Sequence, residues 1–438
     1  MIDEKKVAIV GYGYIGSVIG AVFADRGYSI VALEKEPRII SSVQAGVSPF
    51  AEKNLSKYLS TAHEKGLITI TDDPAALTGV EYIIITVGTP LRDDFSADVS
   101  DLVSACEEIS PFVIEDALVV VKSTVPPGVT RSVVAERIPQ ALVAFCPERL
   151  AEGNAIHEFE TIPIVIGGVT PKAGTLAEDF FKKAIGVETI LVESSEAAEM
   201  VKLADNLWID VNIALANELA LLCHKLDVDV LDVIRAANSL PKGQHHVNIL
   251  LPSVGVGGYC LTKDPWFVVD LGKKKGLDLR LPAAARRTND LMPLQCAQLV
   301  EGRLRELHPD KHPDEIKIAI LGISFKNDTG DCRFSPTKSF INALVDRGYH
   351  IEIYDPLVTP YDARQVTSQP LAESVESVVT EADCVAFLAA HKELRAITPE
   401  MIARNAPGSL VFDGRRYFTK EEVGLMRELG LSFLGVGR

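Results

Sequence analysis

The chain has 438 residues, is 47% hydrophobic and 24% charged, and carries a formal net charge of -16. That length calls for two or three domains with substantial cores, and the acidity argues against general affinity for nucleic acid or anionic membrane. Seven widely spaced cysteines (Cys106, Cys146, Cys223, Cys260, Cys296, Cys332 and Cys384) with no CxxC argue against a disulfide framework or zinc site, so no metal is expected.

No signal peptide precedes the first strand, and no uninterrupted apolar run is long enough to cross a bilayer, so the cytoplasm is the default expectation. Residues 7–10 (VAIV) read as a buried strand. The glycine turn GYGYIG follows at 11–16, then a helical stretch and a second strand at 30–34 (IVALE). This is a βαβ unit. Gly11 permits the tight turn, Gly13 lets the backbone approach a pyrophosphate, and Gly16 lets helix and strand pack closely. The helix start at Tyr14 and Ile15 then faces the phosphates. Glu34 ends the second strand, where an acid accepts hydrogen bonds from both ribose hydroxyls and favours NAD over NADP. Lys35 and Arg38 weaken that preference somewhat. A lone GxGxxG is weak, but strand, helix, second strand and acid in register point to NAD. FAD or a methyl donor in a similar fold is the alternative.

Further strand-like runs at 82–87, 117–121 and 141–145 alternate with helical segments. They predict a doubly wound, mostly parallel sheet over residues 1–195. VGTP at 87–90 ends one strand, and its Gly88 and Thr89 join the expected cofactor pocket. KSTVPPG at 122–128 puts Thr124 at the carboxyl edge, where such sheets bind ligands. CPERLAEGNAI at 146–156 places Glu148 and Glu152 four apart. Either is a candidate general base, against the simpler reading of an acidic loop.

From Glu196 the character changes. Residues 196–226 have helical periodicity, with Val201, Ala204, Trp208, Val211 and Leu215 near one stripe, and helical sequence continues to about Leu307. A helical middle section over 196–308 is expected, of the kind that bridges domains or forms dimer contacts. Lys202 and Asn206, four apart, project from one face, although a solvated face is the simpler reading of a lone Lys. GVGGYCLTKDPW at 255–266 surrounds Cys260 with glycines and follows it with Lys263 and Asp264. Glycines let backbone close around a ligand, and a nearby ammonium favours thiolate. For Cys260 alone, a structural thiol in a glycine turn is the simpler reading. After the polar linker 307–314, the first pattern returns: strand (316–322), helix, strand (350–356). DRGYHIEIYD at 346–355 echoes DRGYSIVALE at 25–34. A second Rossmann-like domain is expected over 309–438, with Gly322, Lys326 and Asn327 in place of GxGxxG.

Taken together, GYGYIG, VGTP, KSTVPPG, CPER, KLADN, DVNIALANEL, GVGGYC-x-x-KD and GISFKNDTGDCR resemble the UDP-sugar dehydrogenases, which make UDP-uronic acids, over nearly the whole chain. CPER and DVNIALANE are more like the branch acting on UDP-N-acetylhexosamines. LAEGNAI and KLADN also resemble the UDP-glucose enzymes, so both substrates stay open. The resemblance implies an α/β fold of two Rossmann-like doubly wound parallel-sheet domains, joined by a helical middle section with a long central helix. It also implies NAD, a UDP-sugar substrate, and a homodimer or higher homo-oligomer.

The same resemblance implies roles. Cys260 is the nucleophile, while Lys202, Asn206 and Asp264 organise the reacting alcohol, a water and the oxyanion. Glu148 assists hydrolysis, with Thr124 and Glu152 close to the water. Lys326 reaches the UDP, Arg415 in FDGRR meets the diphosphate, and Arg333 approaches the cofactor or a domain interface. Arg149 and Gly257 complete the substrate-binding set. Related enzymes often carry an arginine before the glycine loop that reaches a neighbouring subunit's substrate; here GQHHVNILLPS has His245 and His246 and no arginine, so either histidine replaces it, with His246 the candidate substrate contact, or the contact is absent. A hydroxyacid dehydrogenase would explain Lys202 and Asn206 but not the GVGGYC loop or the second Rossmann-like domain. A protein that binds NAD without turnover is the other alternative, against which the intact set Glu148, Lys202, Asn206, Cys260 and Asp264 argues.

Overall fold

The computed structural model describes residues 6–438. They form two compact units, one of residues to Asp205 plus Trp266–Leu277, the other of Asn206–Pro265 plus Asp278–Arg438.

The first unit is built on an eight-stranded sheet: β1 (Lys6–Val10), β2 (Ser29–Leu33), β3 (Ile68–Thr71), β4 (Tyr82–Ile85), β5 (Leu118–Val121), β6 (Leu142–Phe145), β7 (Ile164–Gly168) and β8 (Thr189–Val192). The order is β3-β2-β1-β4-β5-β6-β7-β8. Every pairing is parallel except β6 with β7. The central strands are apolar throughout because both faces are covered. Val7 and Ile9 pack into one core with Ile30, Ile84 and Val120. Ala8 and Val10 point the other way, into a second core with Val31, Ile83, Ile85, Val119 and Val121. The order of strand addition reverses between β1 and β4, so their parallel carboxyl ends flank a crevice where ligands bind in such sheets.

The second unit holds a five-stranded parallel sheet: β11 (Lys317–Leu321), β12 (His350–Tyr354), β13 (Cys384–Phe387), β14 (Leu410–Asp413) and β15 (Ser432–Gly435). Its order is β12-β11-β13-β14-β15, with the switch point between β11 and β13. A two-residue hairpin, β9 (Pro241–Lys242) and β10 (His245–His246), precedes that sheet in the chain. The helices of the middle section are Ser195–Lys225, Val230–Ala237, Tyr259–Lys274 and Arg280–Leu307.

The long helix Ser195–Lys225 departs from expectation in two ways. Its apolar stripe faces outward: Trp208 is 50%, Leu215 47% and Leu222 56% exposed. Its buried side carries Asn206, Asp210 and Asn217 among alanines. It is also long and apolar enough, by length and composition, to cross a bilayer, although only 33% of that stretch is buried here. Asp210 and Asn217 are among the polar residues that break the apolar run in the sequence. Both are fully buried and paired: Arg286 and Asn289 donate to Asp210 Oδ1, and Asn289 links Asp210 (2.8 Å) to Asn217 (2.9 Å). Paired polar groups of this kind belong to a helix packed in protein.

Candidate active site

The glycine turn leaves β1 with Gly11 in the left-handed region (φ +85°), its N–H donating to the Leu33 carbonyl at 2.9 Å. A Cβ on Gly16 would stand 2.3 Å from the Gly11 carbonyl oxygen, so helix Tyr14–Asp25 can pack against the turn only with glycine there. Gly13 has nothing within 4 Å of a built Cβ, which leaves open space over the turn. No side chain caps this helix, and its first internal bond is from Ser17 N–H to the Gly13 carbonyl. The earlier N–H groups at Tyr14, Ile15 and Gly16 are left for an anion. Glu34, just past β2, accepts the Tyr12 N–H at 2.7 Å, so the acid stands directly beside the turn. An open glycine, free helix N–H groups and an acid at the strand end fit a dinucleotide's pyrophosphate and ribose. Gly88 and Thr89 follow β4, and the Thr89 hydroxyl donates to the Thr124 carbonyl at 2.6 Å, joining VGTP to KSTV.

Beyond β6, the Glu148 carboxylate meets the Lys202 ammonium at 2.8 Å, with 10% and 7% of their side chains exposed. Burial alone would raise the Glu148 carboxyl. The Lys202 charge and hydrogen bond, helped by the Leu150 N–H, outweigh it and hold the group below the usual carboxylate range. Glu148 is therefore an ionised, pre-aimed base candidate. Lys122, at the end of β5, is a further buried cation near this pair. It donates to the Cys146 carbonyl at 3.1 Å and lies 5.4 Å from the ring centroids of both Phe159 and Phe181. Burial lowers its pKa, and the Glu148 charge opposes that. Thr124 is buried just beyond it. Arg149 turns away to Asp205 at 2.8 Å, and Glu152 is half-buried, its charge felt by Tyr14.

In the second unit, Cys260 is the second residue of helix Tyr259–Lys274, entered through Gly257 and Gly258. It is half-buried, whereas the other six cysteines are buried. A thiol at a helix start is biased toward thiolate. Asp264 lies one turn on, fully buried, accepting from Asn206 at 2.5 Å and from Lys263 at 2.6 Å. Lys202 and Asn206 are successive turns of the long helix.

The loop that delivers Cys260 is tied on several sides. Arg286 donates to the Leu261 carbonyl at 2.9 Å and Asn217 accepts the Ser253 N–H at 3.0 Å. Gly258 N–H donates to the Arg333 carbonyl at 3.1 Å. Gly257 has no room for a side chain, because a Cβ would lie 2.6 Å from that of Phe325. Arg415 donates to the carbonyls of Leu388 and Phe325 at 2.9 and 3.0 Å. Burial first, then Arg416, pushes its pKa down to about 10.

Residues 5–185, 196–291 and 319–420 match, in turn, the NAD-binding, central and UDP-binding domains of the UDP-glucose/GDP-mannose dehydrogenase family. UDP-N-acetyl-D-mannosamine dehydrogenase of Pyrococcus horikoshii is 33% identical over 99% of both chains. The chain belongs to the UDP-glucose/GDP-mannose dehydrogenase family. The Escherichia coli protein of the same name is 31% identical over 90% of this chain and 96% of its own. Among solved structures, the UDP-D-ManNAc dehydrogenase of Pyrococcus horikoshii superposes with a TM-score of 0.88 at 32% identity, covering 99% of each chain. A UDP-glucose dehydrogenase from Pyrobaculum islandicum reaches 0.87 at 26% identity, covering 100% of this chain and 99% of its own.

This dehydrogenase of the family therefore has NAD as its cofactor. Its remaining sequence candidates lie as follows. Lys326 is half-exposed in the loop after β11. Arg333, in the same loop, is paired with Asp331. His245 and His246 are exposed in the short hairpin. Lys122, Arg286, Asn217 and Asp210 went unremarked in the sequence. The available signals were a Lys ending an otherwise apolar strand and polar residues seven apart on an apolar helix.

Proposed function

We propose that this dehydrogenase carries out the four-electron oxidation of the primary alcohol of a UDP-N-acetylhexosamine, UDP-N-acetyl-D-mannosamine first among them, to the UDP-uronic acid. The buried Lys202–Glu148 pair of the first unit carries the reading, and in the second unit Cys260 stands at a helix start one turn before Asp264, which accepts from Asn206. The relatives named for UDP-N-acetyl-D-mannosamine favour that sugar. UDP-glucose remains the second reading, supported by the likeness to the UDP-glucose dehydrogenase of Pyrobaculum islandicum.

NAD, held at the turn of Gly11, Gly13 and Gly16 and by Glu34, would supply the hydride acceptor for both oxidations, one equivalent for the alcohol-to-aldehyde stage and a second for the stage from the Cys260 thiohemiacetal to the thioester. Cys260 contributes the sulfur that adds to the aldehyde carbon, which otherwise has no covalent route to a second hydride loss. Lys202 holds positive charge where oxyanions develop, and Asn206 and Asp264 orient the reacting oxygen and a water. Glu148, ionised at neutral pH, takes the proton from the water that hydrolyses the thioester. Thr124 and Glu152 lie toward that water. Gly11, Gly13, Tyr14, Ile15, Gly16, Glu34, Gly88, Thr89 and Arg333 serve the cofactor. Arg149, His246, Gly257, Lys326 and Arg415 serve the UDP-sugar. The domains divide as 1–195 for NAD, 196–308 for the helical middle and 309–438 for UDP. The outward stripe Trp208, Leu215 and Leu222, spaced seven apart, supports a homodimer through the long helix.

The test is NADH production on a panel of UDP-sugars: the N-acetylmannosamine, N-acetylglucosamine, N-acetylgalactosamine and glucose forms. Two NADH per sugar on one of them is expected, with acid formation abolished in Cys260→Ser. Normal turnover by the Ser variant would refute covalent catalysis, and no reduction of NAD on any member would remove the assignment.

A further inference from the structure

The carboxyl ends of β11 and β13 flank the switch point of the second sheet, where a doubly wound domain of this strand order binds its ligand. The loop after β11 carries Lys326. The loop after β13 carries His391, whose side chain is fully buried. The two loops touch from the outset, since a Cβ on Gly322 would lie 2.6 Å from that of Ala389.

His391 makes three contacts that fix its protonation pattern. The Asp328 N–H donates to its Nδ1 at 2.9 Å, so Nδ1 carries a lone pair. Its Nε2 lies 3.2 Å from Asp355 Oδ2 and 3.3 Å from Ser324 Oγ. The Ser324 hydroxyl proton is already donated to the Lys326 carbonyl at 2.7 Å, so Ser324 presents a lone pair to the imidazole. Nε2 therefore carries the hydrogen and shares it between Asp355 and Ser324. One neutral ring thus grips the Lys326 loop on both sides of its tip, at Ser324 and Asp328. Asp355 completes the grip by accepting the Ile323 N–H at 2.7 Å. Two reciprocal bonds reinforce it, from Ala390 N–H to Asn327 and from Lys392 N–H to Asp328, both 2.8 Å.

We propose that His391 is a positioning residue for nucleotide binding, holding the 323–328 loop in the one conformation that presents Lys326 to the UDP moiety. This rests on the reading that the loop meets UDP. Both ring nitrogens of His391 are engaged by protein, so its role is to act through the loop. Its loss should lower the fraction of molecules with a competent loop and weaken UDP binding in proportion, leaving the chemical step alone.

The experiment measures KM for the UDP-sugar, KM for NAD, kcat, and the dissociation constant of UDP alone for five holoenzymes: wild type, His391→Leu, His391→Asn, Asn327→Ala and Lys326→Ala. His391→Leu should raise the UDP-sugar KM and the UDP dissociation constant about tenfold, with kcat within about twofold and KM for NAD unchanged. His391→Asn, whose amide oxygen takes the place of Nδ1, should recover part of the loss. Asn327→Ala, an exposed change that loosens the same loop, should move UDP binding in the same direction and keeps the test open if the Leu variant does not fold. A fall in kcat at unchanged UDP affinity, or unchanged UDP affinity in both His391→Leu and Asn327→Ala, overturns the positioning role. Lys326→Ala separates the two claims: if it leaves UDP affinity intact, the reading of the loop itself fails, whereas a weakened Lys326→Ala beside normal His391 and Asn327 variants sinks only the inference about His391.

Discussion

Replacing Lys202 by Met should reverse the pH response of the first unit. Glu148 and Lys202 are each at least nine-tenths buried and 2.8 Å apart, so the charge pair is little screened. Removing one member of a buried pair costs about 3–5 kcal/mol, because the other charge stays buried without compensation. With Lys202 gone, burial dominates and the Glu148 carboxyl moves up instead of down. The sign follows from linkage. In the native protein the folded pKa is depressed, so the contribution of Glu148 is present above the unfolded value of about 4.3 and lost as pH falls through the folded one. In the variant the folded pKa is raised, so its contribution is present below about 4.3 and lost as pH rises toward neutrality, at up to about 1.4 kcal/mol per pH unit. Urea unfolding of the NAD-stabilised transition at several values between about pH 5 and 8 reads this directly. The difference between Lys202→Met and wild type should widen with rising pH, and Glu148→Gln added to the variant should flatten it. Parallel curves separated by less than about 1 kcal/mol would refute the argument that the pair is energetically coupled.

Other perturbations probe different parts of the molecule. Gly16→Ala places a Cβ 2.3 Å from the Gly11 carbonyl oxygen and should abolish NAD binding by calorimetry, while UDP binding survives. Arg286→Met strands Asp210 with only Asn289 for support. A loss of about 3–5 kcal/mol from a unit of this size should lower its melting transition by roughly 6–20 °C in a calorimetric scan. It should also reduce activity, because Arg286 holds the Leu261 carbonyl beside Cys260. Leu215→Asp introduces charge into the exposed stripe and should convert the proposed dimer to monomer by light scattering; an unchanged mass would place the interface elsewhere.

Much of the fold could be read from periodicity. Both sheets, the glycine turn, the acid at the end of β2 and the returning strand–helix–strand pattern are local features written in residues a few positions apart. The far edge of the first sheet was not legible in that way. β7 breaks the parallel pattern against β6, and Gly167 sits where a Cβ would meet the carbonyl of Ser194 at 2.1 Å, a constraint set by tertiary contact. The orientation of the long helix was equally hidden. Periodicity identifies an apolar stripe, but which side faces in depends on partners such as Arg286 and Asn289, more than seventy positions away. Candidate site residues could be named where they sit in motifs. Lys122 and His391 act through the backbone of neighbouring loops, and no spacing rule marks such contacts.

The contrast among the seven thiols has a practical side. Burial pushes Cys106, Cys146, Cys296 and Cys332 up to about 12, and raises Cys384 as well, while Cys223 is buried in the core of the second unit. Soft electrophiles therefore meet one accessible sulfur, at Cys260. A limiting alkylating reagent should silence one molecule per adduct, which turns the count of modified thiols into a titration of competent enzyme. Peroxide would follow the same route, converting that sulfur first to a sulfenic acid that thiol reductants can reverse.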